Sequence, residues 1–456
     1  MRKKVFLLLV VSLFFYCGLY GQKQGPRKGG RIISAILGDP PTFNPLASNH
    51  SDLQTLNQLV NPGLIRLNLV THQLEPSLAI HWESQDDGLT WRFQLRQNIR
   101  WSDGHPFTAE DVLFTMQIIN DPNIDTPARD SLAIDGKAIQ WKKIDDHTIT
   151  ARLPAAFAPF LRKLDGAAVP ILPRHKWQLL YKQGKFNEAM PVTMNMTEFV
   201  GLGPFLPRQY HAGQSLTLFR NPLYWKKDRH GAQLPYLDEI TFLIVPDLNQ
   251  LQLKIENGEI DTFQSIRPED VERLKDPSSV NRASLLNLGA SYDLEGLFFN
   301  QNAETNPATG KHYLDPTKRR WFTNRNFRKA ISFAIDRDTL VKNIFFGMAV
   351  PATGVESPGN KLWFNPQVTL YPHDLKKALA LLRDEGFVRQ QEPSGRLKLL
   401  DKNGNEVRFA LHTNAGNNLR NAQCIAIKSD LAKLGIAVEY SALDFNSLIA
   451  KITQTY

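Results

Sequence analysis

An α/β protein of two lobes is the fold class this sequence predicts, with a further, strand-richer region between residues 51 and 190. Three observations lead there. The chain has 456 residues, and a single hydrophobic core stops growing at about 250 to 300 residues, so more than one core is required. Two segments far apart in the chain, 240–263 and 408–440, each read as strand, helix, glycine stop and strand. Such a βαβ unit closes with a right-handed crossover and therefore parallel strands. Finally, 42% hydrophobic and 22% charged residues, with no low-complexity tract, describe a chain that buries cores.

Taken in order, Met1-Arg2-Lys3-Lys4 and the apolar run Val5 to Tyr16 form the charged and hydrophobic regions of a secretory signal. A transmembrane span needs about 20 apolar residues. Residues 1–21 are therefore expected to be a signal peptide, with the mature chain starting near Gln22. Cys17, followed by Gly18, could accept a lipid, although Tyr16 stands where lipoprotein signals carry a small residue. Cys424 is the only other cysteine, so packing rather than a disulfide framework must hold the mature protein. Removing Arg2, Lys3 and Lys4 from the net charge of +9 leaves +6, spread without a basic face. A nucleic-acid partner is not supported by that distribution.

Trp91, Phe93 and Leu95 alternate with Arg92, Gln94 and Arg96, which predicts a strand with one apolar face. The turn formers Asp103, Gly104 and Pro106 follow, and then a helix from Ala109. Thr108 is placed to cap that helix, with Asp111 bonding back to the cap amide.

In the first βαβ segment, Ile240 to Val245 reads as a strand, Asp247 to Asn257 as a helix, Gly258 as its stop and Ile260 to Phe263 as a returning strand. Helical spacing recurs over Phe327 to Ile335, Leu340 to Phe346 and Leu375 to Arg383. The second unit comprises Arg408 to His412, the helix Asn421 to Leu434, Gly435 and Ile436 to Tyr440. A glycine suits each helix stop because it tolerates the left-handed conformation.

Hydrolase and ATPase signatures are missing: there is no His-Glu-x-x-His, Gly-x-Ser-x-Gly or phosphate-binding Gly-Lys loop. Asp86 and Asp87 are adjacent and read as turn residues rather than an acid/base pair. His211, His230, His312 and His412 lack ligand spacing, so neither a metal site nor a cofactor is expected.

Several stretches together resemble the extracellular solute-binding proteins, family 5, of peptide and nickel importers. They are Phe43-Asn44-Pro45, the run from Asp87 to Arg96 continuing through Trp101-Ser102-Asp103-Gly104 to Val112, and Gly201-Leu202-Gly203-Pro204-Phe205. Arg220-Asn221-Pro222 with Tyr224-Trp225, Asn257 to Asp261, and Asn326 to Ala330 with Ala334 to Arg337 complete the set. The resemblance implies the two-lobed periplasmic-binding-protein fold, type II and cluster C-like, with an extra inserted domain. It also implies the division of the chain: residues 22–50 and 191–275 as lobe I, 51–190 as the insert, and 276–456 as lobe II. Relatives continue past the point matching Tyr456, so lobe II is expected to be incomplete here, and their aspartate anchor for a ligand's amino group lies beyond it.

The implied function is capture of a peptide or related small solute between the lobes and its delivery to an ABC permease at the inner membrane. A periplasmic or other extracytoplasmic monomer without catalytic activity is expected. Main-chain groups after the Phe-Asn-Pro stretch contact ligand in relatives, and they match Asn49, His50 and Ser51. The loop after Arg408 to His412 supplies Asn414 and Ala415. Dipeptide-binding relatives carry an arginine where Asn414 stands, with Arg420 here several residues later, so longer, modified or uncharged solutes are expected. An exported cleft hydrolase, or a sensory or chaperone protein of the same fold, is the alternative.

Overall fold

The computed structural model describes residues 27–47, 51–263, 266–275 and 284–454. The chain divides into two compact units, Met1–Gln264 and Ser265–Tyr456.

In the first unit, one four-stranded sheet has the order Arg31–Ile36, Glu239–Ile244, Ser215–Arg220, Phe205–His211. Its first pair is parallel and the others antiparallel. A second sheet, entirely antiparallel, has the order Ala79–Gln85, Thr90–Leu95, Thr148–Arg152, Gln140–Asp145. The alternation read from residues 91 to 96 positions it. Phe93 and Leu95 are fully buried, and Phe93 faces Ile149 across the ladder.

The helix Ala109–Asn120 starts as its sequence dictates. Thr108 Oγ1 accepts from the Glu110 amide at 3.3 Å, and Asp111 Oδ2 accepts from the Thr108 amide at 3.0 Å. Together these satisfy amides that a helix start leaves without partners. Asp111 then holds two further elements, accepting from Trp101 Nε1 at 3.3 Å and from the Arg174 amide at 2.9 Å.

One predicted element is corrected. The helix Leu248–Glu256 forms, capped by Asp247 and stopped at Gly258 with φ of 71°, but Ile260 to Phe263 is not a strand. The Asp261 carboxylate accepts from the Ile33 amide at 2.7 Å, and the Asp261 amide donates to the Ile33 carbonyl at 2.8 Å. A side-chain acceptor thus takes the place of a backbone carbonyl and ends the ladder, the competition expected of aspartate. The parallel partner of Glu239–Ile244 is instead Arg31–Ile36.

The second unit packs the helices Pro316–Thr323, Arg325–Ala334, Arg337–Asn343 and Leu375–Asp384 with a parallel strand pair. Phe327, Ala330, Ile331, Leu382 and Leu431 lie at its core. The helix at Arg325 begins earlier than the apolar spacing alone indicates because Asn324 Oδ1 caps it at the Phe327 amide, 2.9 Å away. Arg408–Asn414 and Ala437–Leu443 run parallel from Arg408 opposite Ala437 to Asn414 opposite Leu443, joined by the helix Asn418–Ala432. This is the second predicted βαβ unit. Gly435 has φ of 85°, and a Cβ there would sit 2.7 Å from the Lys398 carbonyl carbon, so turn and close approach both require glycine.

Candidate functional site

In open α/β sheets, ligands gather beyond the carboxyl ends of parallel strands, where loops and helix N-termini converge. In the second unit that edge is marked by Asn414 and Leu443, the last paired residues of the two strands. Asn417 then caps the following helix, its Oδ1 accepting from the Arg420 amide at 2.9 Å. Capping at this point turns the first helical residues back over the strand end.

Arg420 is the consequence. Its Nη1 donates to Asn414 Oδ1 at 3.1 Å, and its Nε donates to Glu295 Oε1 at 3.1 Å. Gln423 Nε2 donates to the other Glu295 oxygen at 2.6 Å. The apolar spacing starts the helix only at Asn421, after Arg420; the cap at Asn417 starts it at Asn418 and brings the Arg420 and Asn414 side chains together. Glu295 gave no sequence signal, since it lies in an irregular stretch far from residue 420. The guanidinium and the carboxylate offset each other and are both partly exposed. The local charge is therefore near zero, and the Asn414 amide nitrogen retains both of its donors.

Ala415 is tied more firmly. Its amide donates to the Leu443 carbonyl at 2.7 Å, and its carbonyl accepts from Asn421 Nδ2 at 2.9 Å. Tyr440 donates to Asn421 Oδ1 at 2.7 Å. The Ala415 amide is thus committed within the fold, and only the second lone pair of its carbonyl is left for a solute. Below the loop, burial and then the charge of Glu295 push the Cys424 thiol up, so it stays protonated and unreactive. Burial and the Lys451 charge push the His412 imidazole down.

Asn49 and His50 lie outside the described residues, and Ser51 opens the helix Ser51–Val60. The segment before them is held on several sides. The Phe43 amide donates to the Met190 carbonyl at 2.9 Å, and Asn57 Nδ2 donates to the Pro45 carbonyl at 3.2 Å. Asn44, itself buried, accepts from the Leu46 amide at 3.1 Å. The Phe-Asn-Pro stretch is therefore a mooring for the chain.

Other motif residues are equally structural. Gly203 donates to the Val60 carbonyl at 2.8 Å, and buried Asn221 donates from Nδ2 to the Gly203 carbonyl at 2.9 Å. Asn326 and Asn324 donate their side-chain amides to Glu385, each at 2.6 Å. Among the described residues, no three His, Cys, Asp or Glu side chains converge as metal ligands would. Nor is any described helix long and apolar enough to cross a membrane.

A parallel-strand edge that presents amide, guanidinium and carboxylate groups is equipped to hold a solute by hydrogen bonds. Residues 73–456 match the family of bacterial extracellular solute-binding proteins, family 5, and the chain belongs to it. Its fold class is that of the two-lobed type II binding proteins, and it is a solute-binding protein of the ABC-transporter class.

It is 29% identical over 430 residues to a probable ABC transporter-binding protein of Deinococcus radiodurans, covering 92% of this chain and 70% of that one. It is 25% identical over 441 residues to the oligopeptide-binding protein AppA of Bacillus subtilis, covering 94% of this chain and 72% of that one. The solved structure of the binding protein MelB from Agrobacterium fabrum, in complex with stachyose, is 25% identical with a TM-score of 0.72. That match covers 93% of this chain and 66% of the MelB chain.

Proposed function

We propose that this chain captures peptides outside the inner membrane and hands them to an ABC permease, with Asn414 and Arg420 as polar contacts on one side of the solute. The observation that carries this reading is the Asn414–Arg420–Glu295 cluster at the carboxyl edge of the parallel pair. An extended peptide needs donors and acceptors in alternation along its backbone. The Asn414 amide, the Arg420 guanidinium and the Ala415 carbonyl offer both kinds within one loop. Because Glu295 offsets Arg420, the edge does not demand a free carboxylate, which favours oligopeptides and modified peptides over dipeptides. Relatives include an oligopeptide-binding and a dipeptide-binding protein, so the choice between them rests on this cluster.

In this reading residues 22–50 and 191–275 form lobe I, 51–190 its insert and 276–456 belong to lobe II, with Asn49, His50, Ser51 and Ala415 as further ligand contacts. Residues 1–21 direct export, and Cys17 leaves with them. The protein acts as a monomer, uses no cofactor and returns its solute chemically unchanged. Isothermal titration of the wild type with a pentapeptide pool and with a dipeptide pool tests the proposal. Tighter binding of the pentapeptides is expected; absence of heat with both pools would refute it.

A further inference from the structure

A cavity of about 730 Å³ opens on the first unit between the end of the strand Thr90–Leu95 and the segment Pro222 to Gln233. It takes no part in the site above. Arg96, Arg100 and Lys227 line it, together with Gln94, Gln97 and Asn98, and no Asp or Glu does. Arginine at its wall is fixed in place: Arg96 Nε donates to the Ser77 carbonyl at 2.6 Å, and its guanidinium carbon lies 4.1 Å from the Trp225 ring centre. Trp225 Nε1 is buried with no hydrogen-bond partner among the described residues.

Such a donor loses hydration without compensation. Cations gathered without an acid likewise repel one another unless an anion joins them. Burial pushes the Tyr224 phenol up, so it remains a donor, and burial followed by the charge of Arg66 pushes Lys226 down. Both shifts come first from burial; the charges of Arg66 and Arg96 oppose the Tyr224 shift, and that of Glu75 opposes the Lys226 shift.

We infer that this cavity is a binding site for a phosphate group, separate from the solute site. A tetrahedral dianion has terminal oxygens pointing in several directions, and here cationic side chains come from a strand end, the loop after it and the segment Pro222 to Gln233. A single planar carboxylate would satisfy fewer of them and less of the charge. The phosphate could belong to a small phosphate monoester or to an anionic lipid headgroup, two sources of one chemistry.

Calorimetry in phosphate-free, low-salt buffer tests the site, with inorganic phosphate, glycerol phosphate, and phosphatidylcholine vesicles containing phosphatidic acid as probes. Saturable binding of inorganic phosphate is expected. Lys227→Gln and Arg100→Gln, both at exposed positions, should each weaken it about tenfold while melting temperature and peptide affinity stay unchanged. Arg96→Gln should abolish it. Glycerol phosphate binding without vesicle binding would support a free phosphate ester as the occupant, and vesicle binding lost in the same variants would support a lipid headgroup. Phosphate heats equal to those of chloride, acetate binding as tightly as phosphate, or wild-type affinity in both exposed variants would overturn the site.

Discussion

Arg420 holds Asn414 and Glu295 at once, donating from Nη1 to the amide oxygen and from Nε to the carboxylate, each at 3.1 Å. The three side chains come from a helix start, a strand end and an irregular segment of the same unit, so their meeting is a property of the folded loop.

Replacing Arg420 with alanine removes the charged donor and leaves Glu295 facing the solute alone. Peptide affinity should fall by about ten- to a hundredfold, the equivalent of the roughly 1.5 to 3 kcal/mol that a hydrogen bond to a charged group contributes. The melting temperature should hardly move, because partly exposed ion pairs contribute about 0.2 to 1 kcal/mol. Parallel calorimetry and thermal unfolding check both halves of this expectation.

Asn414→Arg places a second guanidinium beside Arg420, with Glu295 able to offset only one. The unmatched charge should favour short peptides with a free carboxylate, by about tenfold for one added charged bond. Titration with dipeptides, pentapeptides and amidated pentapeptides reads the shift. Equal losses for all three would assign Asn414 a structural role instead.

Gly203→Ala tests the scaffold. A Cβ there would lie 2.2 Å from the Leu59 carbonyl oxygen, which is backbone and unable to move aside. The first unit should lose about 3 kcal/mol, visible as a lowered thermal midpoint, whereas Gly213→Ala, with open space around it but φ of 69°, should cost less.

Asp401 gives a pH dependence. Burial acts to raise its pKa, but hydrogen bonds from the side chain and amide of Asn405, from Trp321 and from the Asn403 amide prevail and hold it below the ordinary value of 3.8. A depressed folded value means that the carboxylate stabilises the native state above 3.8 and that this contribution is lost as pH falls through the folded value. Asp401→Asn sets an amide against these donors and should cost about 1 to 3 kcal/mol at pH 7. Denaturant unfolding should show the gap between wild type and variant closing as the pH drops below 3.8. A gap constant with pH would contradict the assignment.

What could be read from the sequence was local. The Thr108–Asp111 box, the Gly435 stop and the strand pair around residues 408 to 440 each follow from neighbours within a few residues, where period and capping chemistry are unambiguous. Asp261 was misread because its apolar neighbours Ile260 and Phe263 look like a strand, while the bond that ends the ladder goes to Ile33, a residue remote in sequence. Glu295 was invisible for a related reason: nothing in an irregular segment declares which helix it will meet. Asn414 was proposed through resemblance, and its guanidinium neighbour became apparent only once the Asn417 cap was seen to fold the helix start back.

Native mass spectrometry of the protein purified without denaturation or refolding tests solute capture most directly, because a closed binding protein retains solute from its host. The account predicts a population whose excess mass dissociates as peptides, reduced in the Arg420→Ala variant at equal folded yield. Only the bare protein mass, with no peptide bound after incubation with a peptide pool, would contradict it.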